Sequence, residues 1–280
     1  EIPDFAGGAK ALQAVVGGSA DVVSGAFEHA LDMLHKGHPM RAFVLQGRAP
    51  QIVLGVSTRT LPQYRSLADL KGRKIGVTAP GSSTNIMANF VLAQAGIKPT
   101  EVSDIGVGAS QGAVAAVRAG QIDAISNLEP VMTILSRAGD IKVVSDTRDV
   151  AESERVFGGP MPAGCLYAPV SFIQDNPRTV RALAAAIVRA DRWIQQATPA
   201  DVLKTVPESY LLGDRDVYVE AFQKAKQALS PDGLFPDGCA ATALHALASA
   251  DPELLTAKLD LQSVYTNEFV KMAGTGASHA

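Results

Sequence analysis

Three short stretches carry side chains able to do chemistry. Gly108-Ala-Ser-Gln-Gly112 fits G-x-S-x-G, the pattern in which a nucleophilic serine stands on a sharp strand-to-helix turn. A hydrolase built on Ser110 needs an acid and then a histidine further along, and Asp123 and His245 supply them in that order. Against it, no HGGG-type segment offers an oxyanion hole, and His245 falls inside an Ala/Leu run with helical spacing. The second stretch is Thr78-Ala-Pro-Gly-Ser-Ser-Thr-Asn85, between an apolar run and a helical pattern. The first turn of a helix leaves backbone N–H groups unpaired and carries partial positive charge. Hydroxyls beside those groups satisfy a carboxylate, sulfonate or nitrate without any formal cation. Ser82 or Ser83 as a plain N-cap competes with this reading, but a cap uses one hydroxyl. Ser82, Ser83 and Thr84 are therefore ligand candidates. No Gly-Lys-Ser/Thr follows, so this is not a Walker-type nucleotide loop.

The third stretch, Ser24-Gly-Ala-Phe-Glu-His29, offers backbone rather than charge. Gly25 and Ala26 permit close approach, and Phe27 suits an apolar part of a ligand. Glu28 fits a helix start electrostatically with no ligand at all. His35 and His38 straddle Gly37 and need not share a face, so no metal site and no cofactor are expected. Cys165 and Cys239 are too few for a disulfide framework and too isolated for zinc; they are two buried thiols or a single bridge.

Formal charge is −3 over 280 residues with no Lys/Arg cluster, which leaves nucleic-acid binding without an electrostatic footprint. Apolar runs such as Leu183–Val188 are far shorter than the roughly 18 residues of a membrane helix, and a soluble chain is expected. The start at Glu1-Ile-Pro-Asp4 shows no signal peptide, which suits a cytosolic chain or one whose targeting segment has been removed; Gly274–Ala280, with His279, reads as a frayed tail.

The elements that must position these residues alternate. Val22-Val23, Arg41–Leu45, Gln51–Val56, Lys74–Thr78, Ile105–Val107, Ala124–Ser126 and Ile141–Val144 read as strands. Ala9–Val16, Phe27–Lys36, Ser83–Ala95, Gln111–Ala119 and Pro130–Ala138 read as helices. This is an α/β pattern of largely parallel sheet flanked by helices. After Cys165–Ala168 the chain turns mostly helical, with segments 177–197, 199–206, 214–228, 239–249 and 263–272. A degenerate repeat links Ala14–Gly25 to Ala115–Asn127 at an offset of 102: Gly18 matches Gly120, Asp21 matches Asp123, and Ser24 matches Ser126. The two copies read as equivalent pieces of two similar lobes, whose Ser-containing loops lie beyond carboxyl ends of strands, where open α/β sheets take ligands. Asn127 and Glu129 stand in the second of these loops, Glu129 just before a helix start.

Leu12–Gly25, Leu67–Asn85 and Gly120–Pro130 together resemble the nitrate/sulfonate/taurine class of ABC-transporter substrate-binding proteins, whose superfamily includes thiamine-pyrimidine precursor proteins. The resemblance spans nearly the whole chain. It implies the two-lobed periplasmic-binding-protein type II fold with mixed, mostly parallel sheets, lobe 1 from residues 1–60 and 165–280 and lobe 2 from 61–164. It further implies a monomer outside the cytoplasm that closes by a hinge on a small polar or anionic molecule between its lobes and docks on a membrane permease. The resemblance places Gly25, Ala26 and Phe27 on one side of the ligand, and Ser82, Ser83, Thr84, Ser110, Asn127 and Glu129 on the other. The thiamine-pyrimidine branch implies histidine and cysteine chemistry with iron, as the enzymatic alternative to a binder. Family members begin with a strand, a ligand-contacting loop and a helix that find no match here, about thirty residues.

Overall fold

A computed structural model describes residues 1–5, 7–211 and 213–275; His279 lies outside them. In chain order the elements are α1 (Gly8–Val16), β1 (Val23–Ala26), α2 (Glu28–His35), β2 (Met40–Leu45), β3 (Val53–Ser57), β4 (Lys74–Val77), α3 (Ser83–Ala93), β5 (Ser103–Gly106), α4 (Gln111–Arg118) and β6 (Ala124–Asn127). They continue with α5 (Val131–Arg137), β7 (Ile141–Asp146), α6 (Val150–Phe157), β8 (Gly164–Pro169), α7 (Val170–Asp175), α8 (Pro177–Gln196), α9 (Pro199–Thr205), α10 (Arg215–Ala225), α11 (Cys239–Ala248) and α12 (Glu268–Thr275).

Two compact units result. Unit 1 comprises Glu1–Pro50, Ser153–Gln196 and the described part of Ala228–Ala280; unit 2 comprises Gln51–Glu152 and Ala197–Gln227. Unit 1 holds a three-stranded sheet in the order β1-β8-β2, and unit 2 a five-stranded sheet in the order β5-β4-β6-β3-β7. Both sheets are flanked by helices. In unit 2, Ile75, Val77 and Ala124 pack with Ala88 and Leu92 of α3. Val53 and Ile125 pack with Val114 and Val117 of α4 and with Leu135 of α5. In unit 1, Phe43, Leu166 and Ala168 meet Ala184 and Val188 of α8 and Phe269 of α12.

Parallel pairing is narrower than the strand–helix alternation suggests. Only β4-β5 and β4-β6 are parallel among the described strands, while β3 lies antiparallel between β6 and β7, and β8 antiparallel between β1 and β2. Neither β3 nor β8 follows the strand beside it through a single crossover helix, the connection on which the parallel expectation rests.

The repeat is structural. An offset of 102 carries α1, β1, α2 and β2 onto α4, β6, α5 and β7 within one residue at every boundary. In each unit the second and fourth of these elements flank one antiparallel strand, and the pairing of the fourth with that strand carries a register shift. Gly18 and Gly120, the matched glycines, both take φ near +70° (76° and 72°), the left-handed turn that ends a helix.

The helix expected over 263–272 begins instead at Glu268. Ahead of it the chain runs beside β2: Ala42 N–H donates to Val264 O (2.8 Å) and Thr266 N–H to Ala42 O (2.9 Å). The strand edge claims those backbone groups, which delays the helix. The short helices α6 and α7 had no counterpart in the sequence reading. Asp149 Oδ1 accepts the Glu152 N–H at 2.8 Å at the start of α6.

Candidate functional site

Because β5, β4 and β6 are parallel, their carboxyl ends open onto one edge of unit 2. The loops that leave this edge are 78–82, 107–110 and 127–130, and together with the first turn of α3 they carry six of the nine candidate residues. Two ties hold them together. Asn127 Nδ2 donates to Gly108 O (2.9 Å), and Gly108 N–H donates to Thr78 O (3.2 Å).

The alcohols of the first loop divide by role. Thr78 Oγ1, Ser82 Oγ and Thr84 Oγ1 form a triangle of contacts at 3.0, 3.0 and 2.8 Å. Thr84 Oγ1 also accepts the Thr78 N–H (2.9 Å). Ser82 is the N-cap of α3, its Oγ facing the Asn85 N–H at 3.4 Å. Ser82 and Thr84 are buried, so their hydroxyls brace the turn rather than face outward. Asn85 completes the brace: its Oδ1 accepts the Gly81 N–H (2.9 Å) and its Nδ2 donates to Asp104 Oδ2 (2.8 Å). Burial raises Asp104 above the ordinary carboxylate value, against the pull of the Asn85 bond. Ser126 Oγ donates to Thr84 O (2.7 Å) and fastens β6 to the same helix.

What remains open is small and specific. Ser83 is partly exposed, and its hydroxyl has no partner among the described residues. The Ser83 and Thr84 backbone N–H groups likewise have none there, since the donors of the turn begin with Asn85 N–H to Ser82 O. Two amides and one alcohol thus stand together at the positive end of an eleven-residue helix.

Ser110, at the end of the 107–110 loop, is the N-cap of α4, exposed, with no side-chain cap bond. Its φ of −139° and ψ of −161° are extended backbone, not the strained turn of a nucleophile elbow. Asp123, the acid paired with it on paper, accepts the Lys74 N–H at 3.0 Å.

Asn127 and Glu129 are committed to structure. Asn127 is fully buried, and its Oδ1 accepts the Leu128 N–H (2.8 Å). The Glu129 carboxylate accepts from Thr133 N–H (3.1 Å) and Thr133 Oγ1 (2.9 Å) and pairs with Arg148 Nη1. Arg148 also grips Asp146 through Nε and Nη2 in a two-pronged pair. Burial opposes its charge, yet the bonds and charges of Asp146 and Glu129 outweigh this and raise its pKa further. The sequence reading missed Arg148 because its partners lie 2 and 19 residues away, at no helical spacing.

Unit 1 holds Gly25, Ala26 and Phe27. Gly25 and Ala26 end β1. Phe27 is fully buried, its ring 5.5 Å from Phe235 and 6.1 Å from Tyr265, so it packs in an aromatic cluster of unit 1. Glu28 is buried beside it, and loss of solvation raises its pKa from 4.5 to about 7, against a lowering contribution from its own backbone N–H. Cys165 and Cys239 are free, buried thiols; burial pushes Cys239 up to about 12. No group of three or more His, Cys, Asp or Glu side chains is placed to hold a metal ion among the described residues, and no described helix is long and apolar enough to cross a membrane.

The sequence pattern of the NMT1-like family matches residues 1–207. A solved structure from Bordetella bronchiseptica RB50 is 58% identical, with a TM-score of 0.96 over 99% of this chain and 87% of that one. The nitrate-binding protein NrtA of Synechocystis PCC 6803 is 16% identical, with a TM-score of 0.72 over 100% of this chain and 81% of that one. The alkanesulfonate-binding protein SsuA of Xanthomonas axonopodis pv. citri, solved with MOPS, is 18% identical, with a TM-score of 0.66 over 97% and 86%. These likenesses establish the periplasmic-binding-protein fold. A Brucella abortus relative, provisionally named a binding protein, is 30% identical over 141 residues. That match covers 49% of this chain and 42% of the relative, so the chain spans under half the length of the curated relatives it matches.

Proposed function

The chain belongs to the NMT1-like family, and on that premise we propose that it is a non-catalytic solute-binding protein, the capture component of an ABC import system. It works outside the cytoplasm and delivers its solute to a membrane permease. The solute is a small oxyanion or strongly polar molecule. The observation that carries this reading is the pair of unpartnered amides at Ser83 and Thr84, with the free Ser83 hydroxyl, at the carboxyl edge of three parallel strands. Three donors and no cation suit a singly charged oxyanion. Arg148, shared between Glu129 and Asp146, offsets part of the negative charge at this edge. Neighbours of the same fold that are named for nitrate and alkanesulfonate binding support the ligand class.

A thermal-shift screen of nitrate, methanesulfonate, taurine, acetate and small pyrimidines tests it. A ligand present at a hundred times its Kd adds about 2.7 kcal/mol to stability, a shift easily read. The reading fails if none of these stabilises the protein. It fails also if the chain hydrolyses a simple ester and Ser110→Ala abolishes that activity.

A further inference from the structure

We propose that the outer face of α8, in unit 1, docks on an anionic phospholipid surface, its four arginines meeting lipid phosphates with Trp193 beside them.

α8 runs for 20 residues and buries Val180, Ala184, Val188 and Asp191 along one side. Arg178, Arg181, Arg189 and Arg192 are all exposed. At 3.6 residues per turn these four fall within about 80° of one another around the axis and span about 21 Å along it. Spaced three, eight and three residues apart, they form no cluster in the sequence and gather only on the helix. Ala182 and Ala185 lie in the same arc, and their short side chains leave the guanidinium groups standing clear.

An exposed helix face ordinarily mixes charges of both signs. This one does not. The only acid of α8 is Asp191, which is buried away from the arc. None of the four arginines pairs with a carboxylate among the described residues. A formal charge of −3 keeps the chain as a whole off an anionic surface, so attraction must come from a local reversal of sign such as this.

The residue types point to phosphate and to lipid. All four cations are arginine, whose planar fork donates two parallel hydrogen bonds to one phosphate, which lysine cannot do. They spread along a line instead of converging on a point, which matches a plane of many headgroups better than one small anion. Trp193, the chain's only tryptophan, is 42% exposed and lies about 40° around the helix from Arg189. An indole beside the cations favours lipid over an acidic protein segment, because its apolar body and polar N–H suit the boundary between headgroup and chain. For a chain that hands solute to a membrane protein, such docking keeps it at the membrane; the docking itself does not depend on that reading.

Flotation of the full chain with vesicles of equal parts phosphatidylglycerol and phosphatidylcholine, and with phosphatidylcholine alone, tests the proposal. Binding is expected to the first and not to the second. It should be lost between about 0.1 and 1 M salt, as the screening length falls from about 10 to 3 Å. Trp193 emission should shift to the blue and saturate with lipid. Each basic residue near an anionic membrane strengthens binding about fivefold, so Arg178→Gln with Arg189→Gln should weaken it about 25-fold. Adding Arg181→Gln and Arg192→Gln should abolish flotation. Gln keeps the helix propensity of Arg, and melting temperatures should stay near wild type. A control with Lys10→Gln, Lys98→Gln, Lys204→Gln and Lys258→Gln, all exposed, has the same net charge as the fourfold arginine variant and should still float. Equal flotation of the two fourfold variants, no preference for phosphatidylglycerol, or flotation with Trp193 emission unchanged would overturn the proposal. If the vesicles leave the emission unmoved and poly-glutamate shifts it, the stripe meets an acidic protein and the lipid assignment falls.

Discussion

Glu28 sets a pH signature that Glu28→Gln should erase. The carboxyl is 3% exposed, and burial raises its pKa from 4.5 to about 7. At about 1.4 kcal/mol per pKa unit, that rise corresponds to about 3 kcal/mol. The sign follows from proton counting. Below about pH 4.5 both folded and unfolded chains hold the proton, and burial carries no ionic penalty. Between about 4.5 and 7 the unfolded chain releases the proton while the folded chain retains it, so stability falls as pH rises. Above about 7 the folded carboxylate is charged, and the loss is complete. Glutamine has the same shape and does not ionise. Urea unfolding of both proteins from pH 4 to 8 reads the difference directly. Any constant offset from the amide cancels between the two ends. The variant should gain about 3 kcal/mol over wild type on going from pH 4 to pH 8. Asp191, raised to about 7 by burial and then by Asp232, leaves a residual slope of the same sign in both proteins. Parallel pH profiles for wild type and Glu28→Gln would refute the reasoning.

Ser83→Ala should weaken oxyanion binding by about 1.5–3 kcal/mol, the range for a hydrogen bond to a charged group, with the melting temperature of the free protein unchanged; calorimetry and a thermal melt check both. Arg148→Met strips Glu129 and Asp146 of their shared partner in a largely buried cluster, and urea unfolding should show a loss of about 3 kcal/mol. Gly76→Ala would place a methyl 2.3 Å from the Ile122 Cδ1, a loss of about 1–3 kcal/mol by overpacking. Adding Ile122→Val removes that carbon and should restore part of the stability, read as a double-mutant cycle.

Local chemistry in this chain was legible and long-range pairing was not. Pro177 starts α8 and left-handed glycines follow α1, α2, α3, α4 and α5; such boundaries are legible because caps and turns depend on residues a few positions apart. The repeat was legible for the same reason: Gly18 and Gly120 end matched helices. Strand direction was not, since β3 and β8 take their places beside strands far away in sequence. The hydroxyl run 82–84 announced a helix mouth, but its spacing gave no means of telling Ser83, which points free, from Ser82 and Thr84, which bond each other and Thr78. Phe27 reads from the sequence as a contact for an apolar part of a ligand and Glu28 as a helix-start residue; the aromatic partners that bury this corner, Phe235 and Tyr265, lie more than 200 residues on.

The grip of α3 on solute is tested most directly by amide NMR of the full chain during titration with whichever oxyanion gives the largest thermal shift. The Ser83 and Thr84 resonances should move together and saturate at the Kd found by calorimetry. Saturable binding that moves other amides and leaves these two in place would contradict the account.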